Sequence, residues 1–175
     1  MDRVHTRPLP SAPRDAAREV AALYQVHALG MVRLAVIMLG DQETAEDVVQ
    51  DAFLGLYRQW GGLSDKSRAL AYLRSSVLNG CRTVLRRKSR QARIAFAEPD
   101  FESAEAGALA GEEVRQVAAA LRKLPNRQRE ALVLRFYLGM DEGEVAEAMR
   151  ISRGSVKSAT SRGIAALGRM LKEDS

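Results

Sequence analysis

DEGEVAEAMRISRGSVKSATSRGIAAL, residues 141–167, reads as two capped helices on either side of a short turn. Asp141 is a good N-cap, and Glu144 three residues later completes the capping-box spacing that starts a helix. Val145, Ala146 and Met149 follow as one apolar stripe at helical spacing. The stripe stops at Arg150, Ile151 supplies an apolar side chain for the turn, and Ser152 can cap the next helix. In that second helix Val156, Ala159, Thr160, Gly163, Ile164 and Leu167 fall on a small or apolar side. Arg153, Lys157, Ser158, Ser161 and Arg162 fall on the other. Cations and short hydroxyls on an exposed helix face are what phosphate contacts and base-edge hydrogen bonds require. The pattern matches a helix-turn-helix, whose second helix enters a DNA groove. The plain alternative is a helical hairpin with a solvated basic face.

Composition favours an acidic partner. The 175 residues suffice for one domain or two small ones, and a net charge of +5 with a pI near 9.7 points towards a polyanion. The charge is unevenly spread. Residues 1–93 carry 15 Lys/Arg against 9 Asp/Glu, residues 94–113 carry 6 acids and no base, and residues 114–175 carry 12 bases against 7 acids. The acidic stretch IAFAEPDFESAEAGALAGEE has no sustained periodicity and reads as a flexible linker between two basic helical domains. The expected organisation is a disordered arm over 1–15 with three Pro, a domain over 16–93, a linker over 94–111, and a domain over 112–175. The fold class is all-α: two small helical domains joined by that linker, the second containing the helix-turn-helix. A single cysteine, Cys81, fits a reducing cytoplasm. The N-terminus has no apolar segment typical of a signal peptide, and Met31–Leu39 is too short to span a bilayer and contains Arg33, so no membrane insertion is expected.

The first domain shows no strand-like alternation. A helix is expected from about Arg14 to Gly40, with Ala28–Gly30 as the place where it would break. Asp41 caps a second helix, in which Ala45, Val48, Val49, Ala52, Phe53, Leu56, Tyr57 and Trp60 mark the core face. Glu43, Glu46, Asp47, Gln50 and Asp51 gather on the opposite face. Acids in the first turns favour the helix dipole, whereas their continuation to Asp51 suits a docking face for a basic partner, and both readings stand. After the loop Gly61–Arg68, a helix over about 69–90 turns Leu70, Leu73, Val77, Cys81, Val84 and Leu85 inward and ends in Arg86-Arg87-Lys88-Ser89-Arg90. Asn and Ser can bond base edges, and a basic helix end beside a Gly-rich loop can hold a strand with an unstacked base.

In this order, the parts resemble a bacterial RNA polymerase sigma factor of the extracytoplasmic-function (ECF) group, which keeps only regions 2 and 4. The resemblance covers about 16–90 and 112–172. It is carried by AEDVVQDAFLGLYRQW (45–60), AYLRSSVLNGCRTVLRRK (71–88) and LPNRQREALVLRFYLGMDEGEVAEAMRISRGSVKSATSRGIAAL (124–167). The resemblance implies that Glu46, Asp47, Gln50, Asp51 and Leu54 bind core RNA polymerase at the β′ clamp helices, with Phe53 packed beneath, which decides the acidic face for docking. It implies that Ser64, Lys66, Ser67, Arg68 and Asn79 read the −10 strand while Arg82, Arg86 and Arg87 hold its phosphates. Arg153, Lys157, Ser158, Ser161 and Arg162 would enter the −35 groove. Core polymerase (β′ clamp helices and β flap), promoter DNA and an anti-sigma factor are the implied partners.

The chain departs from the family pattern at Thr83, where an acid is common, at Tyr72, where Trp is common, and at Ala159-Thr160-Ser161, where bulkier residues occur. Short side chains there shift weight onto phosphates and DNA shape. His5, His27 and Cys81 give no zinc spacing, and no phosphate-binding Gly motif or nucleophile elbow is present, so neither cofactor, metal nor catalytic residue is expected. A stand-alone helix-turn-helix repressor is the alternative function, and a protein that only sequesters a partner is a third. The acidic helix over 43–51 and the Asn-bearing basic helix over 69–90 argue against the first, and the basic −10-like and −35-like helices against the second.

Overall fold

The computed structural model describes residues 12–95 and 112–173, and among these it contains helices and turns but no strand. The expected arm and linker lie mostly outside the described residues; within them, helix is already formed at Ala12 and continues to Ala95. α1 (Ala12–Leu39) is unbroken. Gly30 does not interrupt it, because Ala28, Met31, Leu34 and Ala35 are buried around it. Their burial offsets the roughly 1 kcal/mol that a helical Gly costs relative to Ala. Gly40 then ends the helix at φ +78°, donating its N–H to the Val36 carbonyl at 2.7 Å. The apolar run in this helix is longer than Met31–Leu39: Asp15–Leu39 is long and apolar enough to cross a membrane. Its Leu34, Ala35, Met38 and Leu39 are instead buried in the protein core.

α2 (Gln42–Gln59) starts where the Asp41 carboxylate accepts from the Thr44 N–H at 3.0 Å and from the Thr44 hydroxyl. Ala45, Val48, Val49, Ala52, Phe53 and Leu56 are buried, followed by Trp60, which opens a 3₁₀ turn (Trp60–Gly62). Tyr57 is the exception to the expected core face: it is 41% exposed. A second 3₁₀ turn (Lys66–Arg68) leads into α3 (Ala69–Ala95), five residues longer than the sequence pattern indicates. Its inward row is Ala69, Leu73, Val77, Leu78, Cys81 and Leu85, whereas Leu70 and Val84 pack only at its margin. Gly80 lets α3 lie close on α2, since a Cβ there would stand 2.6 Å from Val48 Cγ1. Cys81 is fully buried, and burial pushes its thiol up to about 12, which leaves it an inert core residue.

In the second domain α4 (Glu112–Lys123) is followed by α5 (Asn126–Leu132), which widens into a π turn (Val133–Tyr137). Gly139 at φ +64° reverses the chain into α6 (Glu142–Met149), and α7 (Arg153–Glu173) closes the domain. Leu134, Val145 and Val156 are fully buried at its centre. The two domains touch: α4 packs on α1 and α6 on α3, and the buried apolar residues of both form one cluster.

Candidate nucleic-acid interface

The geometry of the turn between α6 and α7 is fixed by its own side chains. Asp141 accepts from the Glu144 N–H at 2.9 Å while Glu144 accepts from the Asp141 N–H at 2.8 Å, a complete capping box. The backbone N–H groups of Glu144 and Gly143 hold the Asp141 carboxyl below its usual range. Arg150 ends α6 in the left-handed region at φ 54°, a conformation that side chains other than Gly and Asn seldom adopt. The Ile151 N–H then bonds the Ala146 carbonyl at 3.0 Å, and its side chain packs against the core. Ser152 caps α7, accepting from the Ser155 N–H at 3.1 Å. Ser152→Ala should therefore lower stability by about 1 kcal/mol, with Ser152→Asp recovering most of it. A thermal melt of the three proteins checks this; equal midpoints would deny Ser152 the role of cap.

This turn presents Arg153, Lys157, Ser158, Ser161 and Arg162 to solvent along one face of α7, while Val156, Ala159 and Gly163 are buried beneath. Gly163 is required by packing, since a Cβ there would stand 2.9 Å from Leu132 Cδ1 of α5. Ile164, expected on the apolar side, is 50% exposed, and Leu167 is half-buried. The Arg153 guanidinium lies against Gly143, beside Asp141.

On α2 the side chains of Glu46, Asp47, Gln50, Asp51 and Leu54 are all exposed. Positions 47, 50, 51 and 54 share one face by the i, i+3, i+4, i+7 rule. Leu54, 49% exposed, ends this acidic row with an apolar side chain. Phe53 lies buried beneath, edge-to-face with Tyr24 of α1 at 5.0 Å between ring centroids.

The loop before α3 is ordered by Asp65, which accepts from the Ser67 N–H at 2.9 Å and its hydroxyl at 2.6 Å. Those bonds, the hydroxyl's first, hold the Asp65 carboxyl low. Lys66 sits 5.4 Å over the Trp60 ring and 3.9 Å from Glu19. Ser64, Lys66, Ser67, Arg68, Asn79, Arg86 and Arg87 are exposed, and Arg82 is half-buried. Arg82 donates Nη1–H to Asn79 Oδ1 at 3.0 Å, so these two sequence-predicted residues are brought together. Arg86 reaches Thr83 Oγ1 at 3.4 Å, and that hydroxyl donates to the Asn79 carbonyl at 2.9 Å. Two partners of this face were not among the residues expected from the sequence: Glu130, bonded by Arg82, and Glu147, bonded by Arg68.

Three faces thus stand apart in character: an acidic row on α2, a basic loop and helix on α3, and a cation-hydroxyl row on α7. Residues 23–91 match the family described as sigma-70 region 2, and residues 115–167 match sigma-70, region 4. The chain is 30% identical over 137 residues to an RNA polymerase sigma-E factor of Streptomyces avermitilis, covering 78% of this chain and 76% of that protein. It is 31% identical over 149 residues to the ECF RNA polymerase sigma factor SigM of Mycobacterium tuberculosis, covering 85% and 75%. Its fold is similar to the sigma factor RpoE of Bartonella quintana, solved in complex with the anti-sigma factor NepR, with a TM-score of 0.70 at 22% identity over 93% of this chain and 99% of that one.

Proposed function

Because the chain belongs to the sigma-70 family, among the ECF sigma factors that direct transcription initiation, we propose a division of labour among its three faces. Glu46, Asp47, Gln50 and Asp51, with Leu54, dock on the basic β′ clamp helices of core RNA polymerase, and the second domain rests on the β flap. The α7 row reads the −35 duplex: Lys157 and Arg162 supply charge, Ser158 and Ser161 short hydrogen-bonding groups, and Arg153 a phosphate contact. The loop residues Ser64, Lys66, Ser67 and Arg68, with Asn79, take the melted −10 strand, while Arg82, Arg86 and Arg87 neutralise its phosphates. Capturing single-stranded DNA stabilises promoter opening without ATP hydrolysis, because the protein binds the melted state better than the duplex. The chain itself catalyses nothing, needs no cofactor, works in the cytoplasm and has an anti-sigma factor as an inhibitory partner.

The observation that carries this reading is the exposed acidic row with an exposed leucine at its end on a basic protein. A repressor acting alone on duplex DNA has no use for such a face. Charge with an apolar anchor suits a protein partner that is itself basic. A pull-down of core RNA polymerase should retain the wild type and bind an Asp47→Ala/Gln50→Ala variant about tenfold more weakly, the sum of two contacts of ~0.7 kcal/mol each. Failure of the wild type to bind core, with duplex affinity intact, would move the reading to the stand-alone repressor.

A further inference from the structure

A recognition helix offers its first residues to base edges, while the helix before it crosses the sugar-phosphate backbone. Arg153 is the first residue of α7, yet its guanidinium lies on the first turn of α6. A Cβ at Gly143 would stand 2.7 Å from Arg153 Nη2, 3.2 Å from its Cζ and 3.1 Å from Asp141 Oδ1. The head of the arginine thus fills the space that any other side chain at 143 would take. The Gly143 backbone does not demand glycine, since its φ is not in the left-handed region. Helix propensity argues against glycine there as well. What the missing Cβ provides is room for the guanidinium.

Charge favours the same placement. The N–H groups of Glu144 and Gly143 lower the Asp141 carboxyl most, and the Arg153 charge lowers it further. The attraction does not use up the donors: among the described residues, no hydrogen bond or ion pair engages Arg153, which is exposed. A guanidinium held in place with its fork of N–H groups free suits a phosphate, which takes two parallel bonds from it. The start of α6 also carries three acids, Asp141, Glu142 and Glu144, on the helix that would cross the backbone. A cation laid over them offsets charge that would repel a polyanion.

We propose that Gly143 and Asp141 form a seat on α6 for the Arg153 guanidinium, which turns the first side chain of α7 from the base edges to the DNA backbone. Gly143 is then a positioning residue for −35 binding and acts through Arg153. This rests on the reading of α7 as the −35 helix. It divides that helix's own row: Arg153 adds affinity without regard to sequence, and the residues from Lys157 onward are left to discriminate bases.

The test is a double-mutant cycle on the polymerase-bound full chain: wild type, Gly143→Ala, Arg153→Ala and the double variant. Affinity for a duplex selected from a random pool by the wild-type holoenzyme is measured across salt from about 0.05 to 0.2 M. Gly168→Ala is the control, a helical glycine of α7 whose Cβ would meet nothing. Gly143→Ala should melt no lower than wild type, because alanine suits a helix and Nη2, the atom nearest the new Cβ, ends a flexible side chain. It should nevertheless weaken duplex binding roughly five- to tenfold at about 0.1 M salt, with the slope of log K against log salt smaller by about 0.9. Arg153→Ala should show the same loss and the same slope, and the double variant should bind no more weakly than Arg153→Ala. Wild-type affinity in Gly143→Ala beside a weakened Arg153→Ala overturns the seat. So does a loss that persists when Gly143→Ala is added to Arg153→Ala, with or without a lower melting midpoint, since Gly143 would then act through the α6 cap. Unchanged affinity in both single variants overturns the inference alone if Lys157→Ala/Arg162→Ala still weakens binding. If that pair also binds as wild type does, the −35 reading of α7 falls and takes the seat with it.

Discussion

Removing both cations of the α7 row, in Lys157→Ala/Arg162→Ala, should weaken binding of the polymerase-bound protein to −35 duplex on the order of 100-fold. Both side chains are exposed on a helix whose entry is fixed by the Ser152 cap and whose underside is locked by Val156 and Gly163. Truncating them should therefore remove the groups proposed to bind DNA without loosening the helix. Each group bound to a base edge or phosphate is worth about 1–3 kcal/mol, and two at the low to middle of that range give about two decades. The neighbours Ser158 and Ser161 are too short to substitute. The salt dependence should flatten too, since the slope of log K against log salt falls by about one for every phosphate that no longer has a cation beside it.

The matching substitution on the face proposed for the −10 strand should behave differently. Lys157→Ala alone should weaken duplex binding, whereas Asn79→Ala should spare it and lower open-complex formation. Duplexes selected from a random pool by the wild-type holoenzyme are suitable probes, with permanganate reactivity as the reading of opening. Unchanged opening in Asn79→Ala would remove Asn79 from the −10 assignment. Equal weakening of duplex affinity by Asn79→Ala and Lys157→Ala would undo the division between the two faces.

How far the chain could be read from its residues depends on the range of the interaction. Caps act within three residues, so Asp141 with Glu144, and Asp41 with Thr44, were legible and located the starts of α6 and α2. Helical periodicity gives the direction of an apolar stripe but not the width of what covers it. Tyr57 and Ile164 are in phase with their stripes and remain substantially exposed because the neighbouring helices do not reach that far. The π turn at Val133–Tyr137 sits in an apolar run, interrupted by Arg135, that would suit a regular helix equally well. The contact between the domains was the least legible, since Arg82 and Glu130 are 48 residues apart. One local signal was nevertheless present. Arg129 and Glu130 stand four residues before Val133 and Leu134, so two charges are in phase with a core stripe, which is where buried charge needs a partner.

Arg129 is the position in that stripe where truncation should cost most. Its side chain is 1% exposed and bridges two helices: Nη1 donates to the Arg122 carbonyl of α4 at 3.1 Å, and Nη2 donates to Asn126 Oδ1 of α5 at 2.6 Å. The Arg122 carbonyl lies in the last turn of α4, where no further turn of helix supplies an N–H donor. Arg129→Ala leaves that carbonyl and the Asn126 amide oxygen without this donor and opens a cavity between α4 and α5. The broken buried hydrogen bonds and the new cavity together should destabilise the second domain by about 3–4 kcal/mol. Arg129→Met fills most of the volume but supplies no donor, so it should recover about 1–2 kcal/mol of that deficit. The guanidinium also opposes the burial penalty of its neighbour Glu130, whose carboxyl it pulls down less than Arg82 does. Neutralising Arg129 therefore raises the cost of the buried acid in either variant, and Arg129→Met/Glu130→Gln should be more stable than Arg129→Met alone. Urea unfolding of the four proteins, reported by the midpoint at constant slope, measures each step. An Arg129→Ala protein within about 1 kcal/mol of wild type would mean that the packing of α4 on α7 and α1 holds it without the guanidinium.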